Sequence, residues 1–223
     1  MRRIAIFISA LMVCIGVAAQ TKRLGDAQGS VNEKSLNILN NVSKIYKSST
    51  GIQLSLEIGF TDNKTGQTAG ADGTLKTAGK KFALKTTFAE IYFDGQTLNV
   101  YDKQNNELTI SSPTAEEISD IDPTAIISMF KQGYKISEPE VSKTDSNITL
   151  IRLYPEDRKA DYSMITVTIN TATSTPVEII TCGKNGVDNV VKIKKVESGK
   201  QFDDSIFQFD ANKHKGIIIT DLR

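Results

Sequence analysis

From Ile52 the chain alternates. Ile52, Leu54, Leu56, Ile58 and Phe60 are apolar, while Gln53, Ser55, Glu57 and Gly59 between them are polar or small. A period of two with one polar face predicts a strand of a half-buried antiparallel sheet. The residues before it keep another period. Val31, Ile38, Leu39, Val42, Ile45 and Tyr46 form one apolar stripe at helical spacing. Ser30 and Glu33 read as a capping box ahead of that stripe, and Ser48-Ser49-Thr50-Gly51 ends it.

Short strands with turn signals continue the pattern through Thr74-Leu75, Phe82 to Lys85, Ala89 to Phe93, Leu98 to Tyr101 and Leu108 to Ile110. Asp94-Gly95 predicts a hairpin with a type I′ turn, in which both central residues take positive φ. Two helix starts then interrupt the strands. Ser112-Pro113 and Asp122-Pro123 each pair a capping residue with proline at the first helical position, where its missing N–H costs nothing. The second helix carries Ile126, Ile127, Met129 and Phe130 before Gly133. Strands resume at 134–136, 148–154, 164–169, 177–182 and 190–196, the last two joined by Asn185-Gly186. Asp203-Asp204-Ser205 opens a short turn holding Ile206, Phe207 and Phe209, and residues 216–221 read as a closing strand. The fold class expected is α+β and mainly β. A strongly curved antiparallel sheet, an open or half barrel of about 11 strands, carries an N-terminal helix and an inserted helical lid over its concave apolar face.

The N-terminus changes the setting. Arg2-Arg3, an apolar run over 4–17 and Val17-Ala18-Ala19 read as an export signal over residues 1–19, cleaved before Gln20. The alternatives are an uncleaved anchor, for which the apolar run is short, and a lipoprotein signal ending at Cys14, which bulky Val13 opposes. A single domain is expected over 20–223, long enough to bury a core without staples. Without Arg2 and Arg3 the 27 basic residues fall to 25 against 26 acidic ones, a net charge of −1. No electrostatic footprint for nucleic acid is present. Cys14 leaves with the signal, so Cys182 stands alone in a strand-like run and reads as a packed thiol rather than a reactive one.

Candidate chemistry is sparse. His214, between Lys213 and Lys215, reads as a solvated loop histidine. With one histidine and one mature cysteine, nucleophilic triads and zinc sites lack their parts. The run Gly73-Thr74-Leu75-Lys76-Thr77-Ala78-Gly79-Lys80-Lys81 imitates a phosphate loop but has the wrong glycine spacing, and Lys81 where Ser or Thr would hold magnesium. Asp62, Asp94 and Asp102 belong to turns, Asp122 to a helix cap, and Glu116-Glu117 to a helix start. No catalytic residue, metal or cofactor is expected, and the chain does not read as an enzyme. What remains is apolar surface. It reads either as an ordinary core or as the lining of a cavity under the helical insert.

The run Ile91-Tyr92-Phe93-Asp94-Gly95-Gln96-Thr97-Leu98-Asn99-Val100-Tyr101-Asp102, followed by Asn105-Asn106-Glu107-Leu108-Thr109-Ile110, resembles a sequence block of the periplasmic outer-membrane lipoprotein carriers, the LolA family. The leading helix, Gly73 to Phe82 ahead of the block, the proline-bearing insert after it and Asp204-Ser205-Ile206-Phe207-Gln208-Phe209 fit in the same order. The resemblance implies a noncatalytic periplasmic carrier, working as a monomer. It would take acylated lipoproteins from an inner-membrane release transporter and pass them to an outer-membrane acceptor. The alternative it leaves open is a periplasmic lipid- or glycolipid-binding protein of the same fold without lipoprotein cargo. The lining residues expected are Leu54, Leu56, Ile58, Phe60, Ile91, Phe93, Leu98, Val100 and Ile110 on strands, with Ile126, Met129 and Phe130 on the lid. The family often has an Arg-Pro pair, associated with holding the lid closed, where this chain has Lys76-Thr77-Ala78-Gly79. Lysine is not an equivalent fork of donors, so lid control is expected to differ here.

Overall fold

A computed structural model describes residues 32–114, 117–118 and 133–223. The expected signal segment, Ser30, Val31, Asp122-Pro123 and the lid residues Ile126, Met129 and Phe130 lie outside the described residues. Helix α1 (Glu33–Ser48) starts at Asn32, whose side-chain oxygen accepts from the Ser35 N–H at 3.2 Å. The cap is therefore Asn32 and not Ser30; a short side-chain oxygen one residue before the first turn is what the orphan N–H requires. Ser35, Leu39, Val42 and Ser43 are the buried side of α1. The Ser35 hydroxyl also donates to the Ser137 carbonyl at 2.7 Å, tying the helix start to distant chain.

Strands β1 (Ile52–Asp62), β2 (Thr68–Ala78), β3 (Lys81–Thr86), β4 (Ala89–Phe93), β5 (Leu98–Asp102) and β6 (Glu107–Ser111) form one antiparallel meander. A second contains β7 (Tyr134–Ile136), β9 (Ile148–Pro155), β10 (Tyr162–Asn170), β11 (Thr175–Gly183) and β12 (Val187–Ser198), with β8 (Glu140–Val141) paired to β9. The two meanders join where β1 pairs with β12, from Ile52 opposite Ser198 to Asp62 opposite Val187. On the outside of β1, Gly59 faces Gly70 of β2, and a Cβ on Gly59 would lie 2.4 Å from the Ala69 carbonyl oxygen. Finally β13 (Ile218–Asp221) adds to the free edge of β6, parallel to it.

The sheet thus has thirteen strands among the described residues rather than about eleven, and its last pairing is parallel. Among the described residues no pairing joins its ends, β13 and β7, so it is open. The Asp94-Gly95 turn also differs from expectation. Only Gly95 has positive φ, at 103°, while the Asp94 carboxylate accepts from the N–H groups of Gln96 and Thr97. That is an aspartate-capped loop, not a type I′ turn.

The topology constrains the insert. β6 and β7 are consecutive in the chain but ten strand spacings apart in the sheet. At about 4.8 Å per spacing that is roughly 48 Å along the sheet. The 22 residues 112–133 must connect them, and a helical path of that length reaches only about 33 Å. A helical crossing therefore requires the sheet to curl so that its ends approach. The insert is capped at its start by Thr114. The Glu117 carboxylate accepts from the Thr114 N–H at 2.7 Å, the Thr114 hydroxyl accepts from the Glu117 N–H at 3.3 Å, and the Ile118 N–H donates to the Thr114 carbonyl. The cap sits two residues later than Ser112-Pro113 suggested, because Thr114 and Glu117 make a reciprocal box.

The outer face, opposite α1, is closed by the chain between β12 and β13. A 3-10 turn over Asp204–Phe207, capped by the Asp203 carboxylate on the Ser205 N–H, buries Phe207 completely against Ala83 and Tyr92. Phe209 meets the rings of Tyr92 and Tyr101 at 5.8 and 5.0 Å. Beside them Glu90 is bound by Lys103 at 2.9 Å and accepts from the Tyr92 hydroxyl. Burial alone would raise the Glu90 pKa, but the Tyr92 hydroxyl and Lys103 outweigh it and hold the carboxyl below its ordinary value.

Two outcomes follow from this face. Phe207→Ala leaves a void under the C-terminal strap and should cost about 3–5 kcal/mol in urea unfolding. Glu90 stabilises the fold fully above the ordinary glutamate pKa of 4.5 and loses that contribution as pH falls through its lower folded value. Thermal melts from pH 6 to 3 should therefore fall less steeply for Glu90→Gln than for the wild type.

Candidate functional site

The inner face of the sheet, the one α1 packs on, carries two apolar clusters. Strand register aligns its side chains in rows. One row runs Val196, Leu54, Leu75, Leu84, Ile91, Val100 across six strands, and the next holds Ile52, Thr77, Phe82, Phe93 and Leu98. Apart from Thr77, these residues with Leu56 form one cluster, against which Ile58, Val191 and Ile193 also pack. A second cluster lies over the other meander, where Ile151, Leu153, Val167, Ile169 and Ile179 meet Leu39 and Val42 of α1.

Helix α1 does not serve the two clusters equally. Leu36, Ile38, Leu39 and Val42 all belong with the second cluster, and of α1 only Tyr46 touches both. The first cluster instead receives Ile118, at the start of the insert. The insert therefore begins over the inner face, on the meander that α1 leaves to it. Polar residues stand at the ends of the rows: Thr109 and Ser111 on β6, and Thr181 opposite Asn189 beyond Phe60.

Leu54, Leu56, Ile91, Phe93 and Leu98 meet in the first cluster, with Ile58 and Val100 packed against it. Phe60 lies on the same face at its far end, opposite Asn189. Ile110 does not join them. It pairs with Asn99, which pairs with Tyr92 on the outer face. The inner positions of β6 are Thr109 and Ser111, because Leu108 and Ile110 turn outward with Tyr101 and Tyr92. Alternation in β1 did not reveal Leu75, Phe82, Leu84, Ile193 or Val196. Inner positions of β2 are otherwise small (Ala69, Ala71, Gly73), which weakens its period-two signal. In β12 a bulge at Lys194 puts Ile193 and Val196, three apart, on one face.

The remaining candidates belong elsewhere. Lys76 is on the outer face, its ammonium 5.6 Å over the Phe202 ring, while Thr77 takes the inner position. His214 is not a solvated loop residue: it stacks on Phe209 at 4.7 Å and meets Tyr101 at 4.4 Å. Cys182 is half-buried on the outer side rather than in the core, and burial pushes its thiol pKa up, away from reactivity. Asp62, Asp94 and Asp102 each cap the backbone N–H groups two and three residues on. An outer cleft of about 710 Å³ is lined by Lys76, Lys85, Tyr92, Phe209 and Lys213 under the strap. A shallow hollow of about 670 Å³ follows the asparagine-rich side of α1. Among the described residues no group of His, Cys, Asp and Glu could hold a metal, and no helix is long and apolar enough to cross a membrane.

Among the described residues the inner face is almost wholly hydrocarbon side chains. Comparison with known proteins bears on what that means. Curated protein sequences give no match. Among solved structures, an uncharacterized conserved protein from Thermus thermophilus superposes with a TM-score of 0.53 at 11% identity, covering 84% of this chain and 99% of that one. A putative outer membrane lipoprotein-sorting protein domain from Vibrio parahaemolyticus gives 0.44 at 10% identity, over 78% and 96%. A LolA superfamily protein from Nitrosomonas europaea gives 0.41 at 14% identity, over 81% and 99%. The sequence profile of the outer membrane lipoprotein carrier protein LolA matches residues 26–182. That match spans well over half of the 223 residues, and the chain belongs to the LolA family of outer membrane lipoprotein carrier proteins.

Proposed function

We propose that this protein carries acylated lipoproteins through the periplasm, from an inner-membrane release transporter to an outer-membrane acceptor. The acyl chains lie between the first inner cluster and a lid formed by the insert. The observation that carries this reading is the partition of the inner face: α1 seals one meander, and the other is reached by Ile118 of a connection that must cross the sheet. Exposing an acyl chain to water costs about 0.8 kcal/mol per CH₂, so transit through an aqueous compartment requires an enclosed apolar site. The site must also release its cargo. A lid that packs on the same side chains as the cargo provides this, because lid closure returns part of the burial energy that cargo departure removes. The carrier needs no nucleotide, metal or catalytic group. Leu54, Leu56, Ile58, Ile91, Phe93, Leu98 and Val100 are its strand lining, with Phe60 at one end. Ile126, Met129 and Phe130 are the lid candidates. With Thr77 inward and Lys76 outward, no arginine from this stretch of β2 holds the lid, and the lid of this carrier opens more readily than one pinned by an Arg fork.

The test is uptake by the mature chain, exported to the periplasm and purified without detergent, read by native mass spectrometry. Co-purified lipoprotein supports the carrier reading. Acyl lipid without protein cargo supports a lipid-binding protein of the same fold, and bare protein that ignores added lipoprotein and lipid reduces the inner face to a core. Ile58→Glu places a carboxylate on a half-buried inner position and should cut acyl uptake at least tenfold. Val141→Glu, at a residue 58% exposed on β8, should leave uptake unchanged.

A further inference from the structure

Tyr46 holds the one buried side-chain polar atom without a hydrogen-bond partner among the described residues, its hydroxyl oxygen. Buried polar groups are nearly always paired, and leaving one unpaired destabilises the fold. Packing alone does not account for it, since phenylalanine would fill the same space without the orphan. The position is also singular. Tyr46 is on the last turn of α1, and it is the α1 residue that touches both inner clusters. Its side chain therefore lies at the seam between the cluster that α1 seals and the cluster that the insert meets.

We propose that the Tyr46 hydroxyl donates a hydrogen bond to the ester carbonyl of a bound acyl chain, fixing where the chain's polar end lies in the inner cavity. This deepens the carrier reading and rests on it. A phenol can donate or accept. Burial pushes the Tyr46 pKa far above its ordinary value of 10.0, so the group stays protonated and remains a donor at any physiological pH. An ester carbonyl is a pure acceptor that projects from the head of an otherwise apolar chain. A hydrocarbon offers no acceptor, and an ether oxygen lies within the chain between two methylenes instead of projecting from it as a carbonyl does. The orphan hydroxyl thus selects acyl esters over other greasy molecules, which a smooth apolar wall cannot do. The unloaded protein bears the cost of the unpaired group, and loading relieves it.

The experiment titrates the full mature chain and Tyr46→Phe with a synthetic diacylglyceryl lipopeptide carrying two ester-linked palmitoyl chains. The same lipopeptide with ether-linked hexadecyl chains is titrated alongside. Tyr46→Phe should bind the ester roughly tenfold more weakly than the wild type, as expected for one lost buried hydrogen bond. It should bind the ether form as the wild type does. The unloaded variant should melt no lower than the wild type. Equal binding of ester by both proteins overturns the inference and leaves the carrier reading standing. A variant that melts well below the wild type also overturns it, because the hydroxyl is then bonded within the free fold. If neither lipopeptide binds the wild type, the carrier reading fails and this inference with it.

Discussion

The pairing of β1 with β12 holds the rest of the architecture in place. It is the longest pairing in the sheet, and it joins strands from opposite ends of the folded chain. From that seam two meanders run in opposite directions, β2 to β6 on one side and β11 back to β7 on the other. The chain order then forces three things. The connection from β6 to β7 must travel from edge to edge. The C-terminal segment, leaving β12 at the centre, must cross the outer face to reach a free edge. And α1, which enters β1 through Ser49 and Gly51, lies beside the seam, with the Gly199 N–H donating to the Ser49 hydroxyl at 2.8 Å. Such long-range pairing closes large loops before it brings any reward, so the seam is expected to form late and to lock the fold when it does.

The two faces of this sheet solve different problems. The outer face is finished: aromatic rings, the 3-10 turn around Phe207 and the Glu90 cluster close it with paired groups. Lys192 and Lys194 around the bulge reach Glu57 at 3.6 and 3.2 Å, and Lys194 reaches Asp72 at 2.6 Å. Each such exposed pair is worth at most about 1 kcal/mol, so these ladders add solubility and register more than stability. The inner face is apolar along whole rows, and its polar side chains stand mainly at row ends. Among the described residues the buried hydroxyl without a partner is that of Tyr46, whose side chain packs on both inner clusters. In the proposed carrier, a surface with this chemistry binds hydrocarbon and discriminates little, except where that hydroxyl intervenes.

In the proposed carrier, binding and release hinge on a balance. A site that only enclosed acyl chains would hold them too firmly to hand on, given the burial energy of each CH₂. Division of the inner face between a fixed helix and a crossing insert offers a way out. α1 belongs to the folded core through Leu39 and Val42, whereas of the insert Ile118 packs on the first cluster, the one the proposed cargo would share. In that proposal, the outward placement of Lys76 over Phe202 removes one way of pinning the insert.

From residues alone, much of this was accessible. The alternation from Ile52 to Phe60 determined β1 and its inner side, since a period of two admits one face only once that face is apolar. The stripe of α1, the Phe207 turn and the two strands that flank Asp94-Gly95 were equally explicit. Side-chain parity could not be recovered where the local pattern was weak or reversed. Ile110 is apolar, as a lining residue should be, yet the partners of β6 turn it outward. β2 hid Leu75 among small residues, and the bulge at Lys194 broke the count that would have joined Ile193 to Val196. His214 and Cys182 were placed by packing that no neighbour in sequence announces. Local period and turn chemistry are properties of adjacent residues, and these were written in the chain itself. Which strands meet, which face each apolar residue serves and which hydroxyl is left unpaired depend on contacts between distant residues, so they emerge only once the chain has folded.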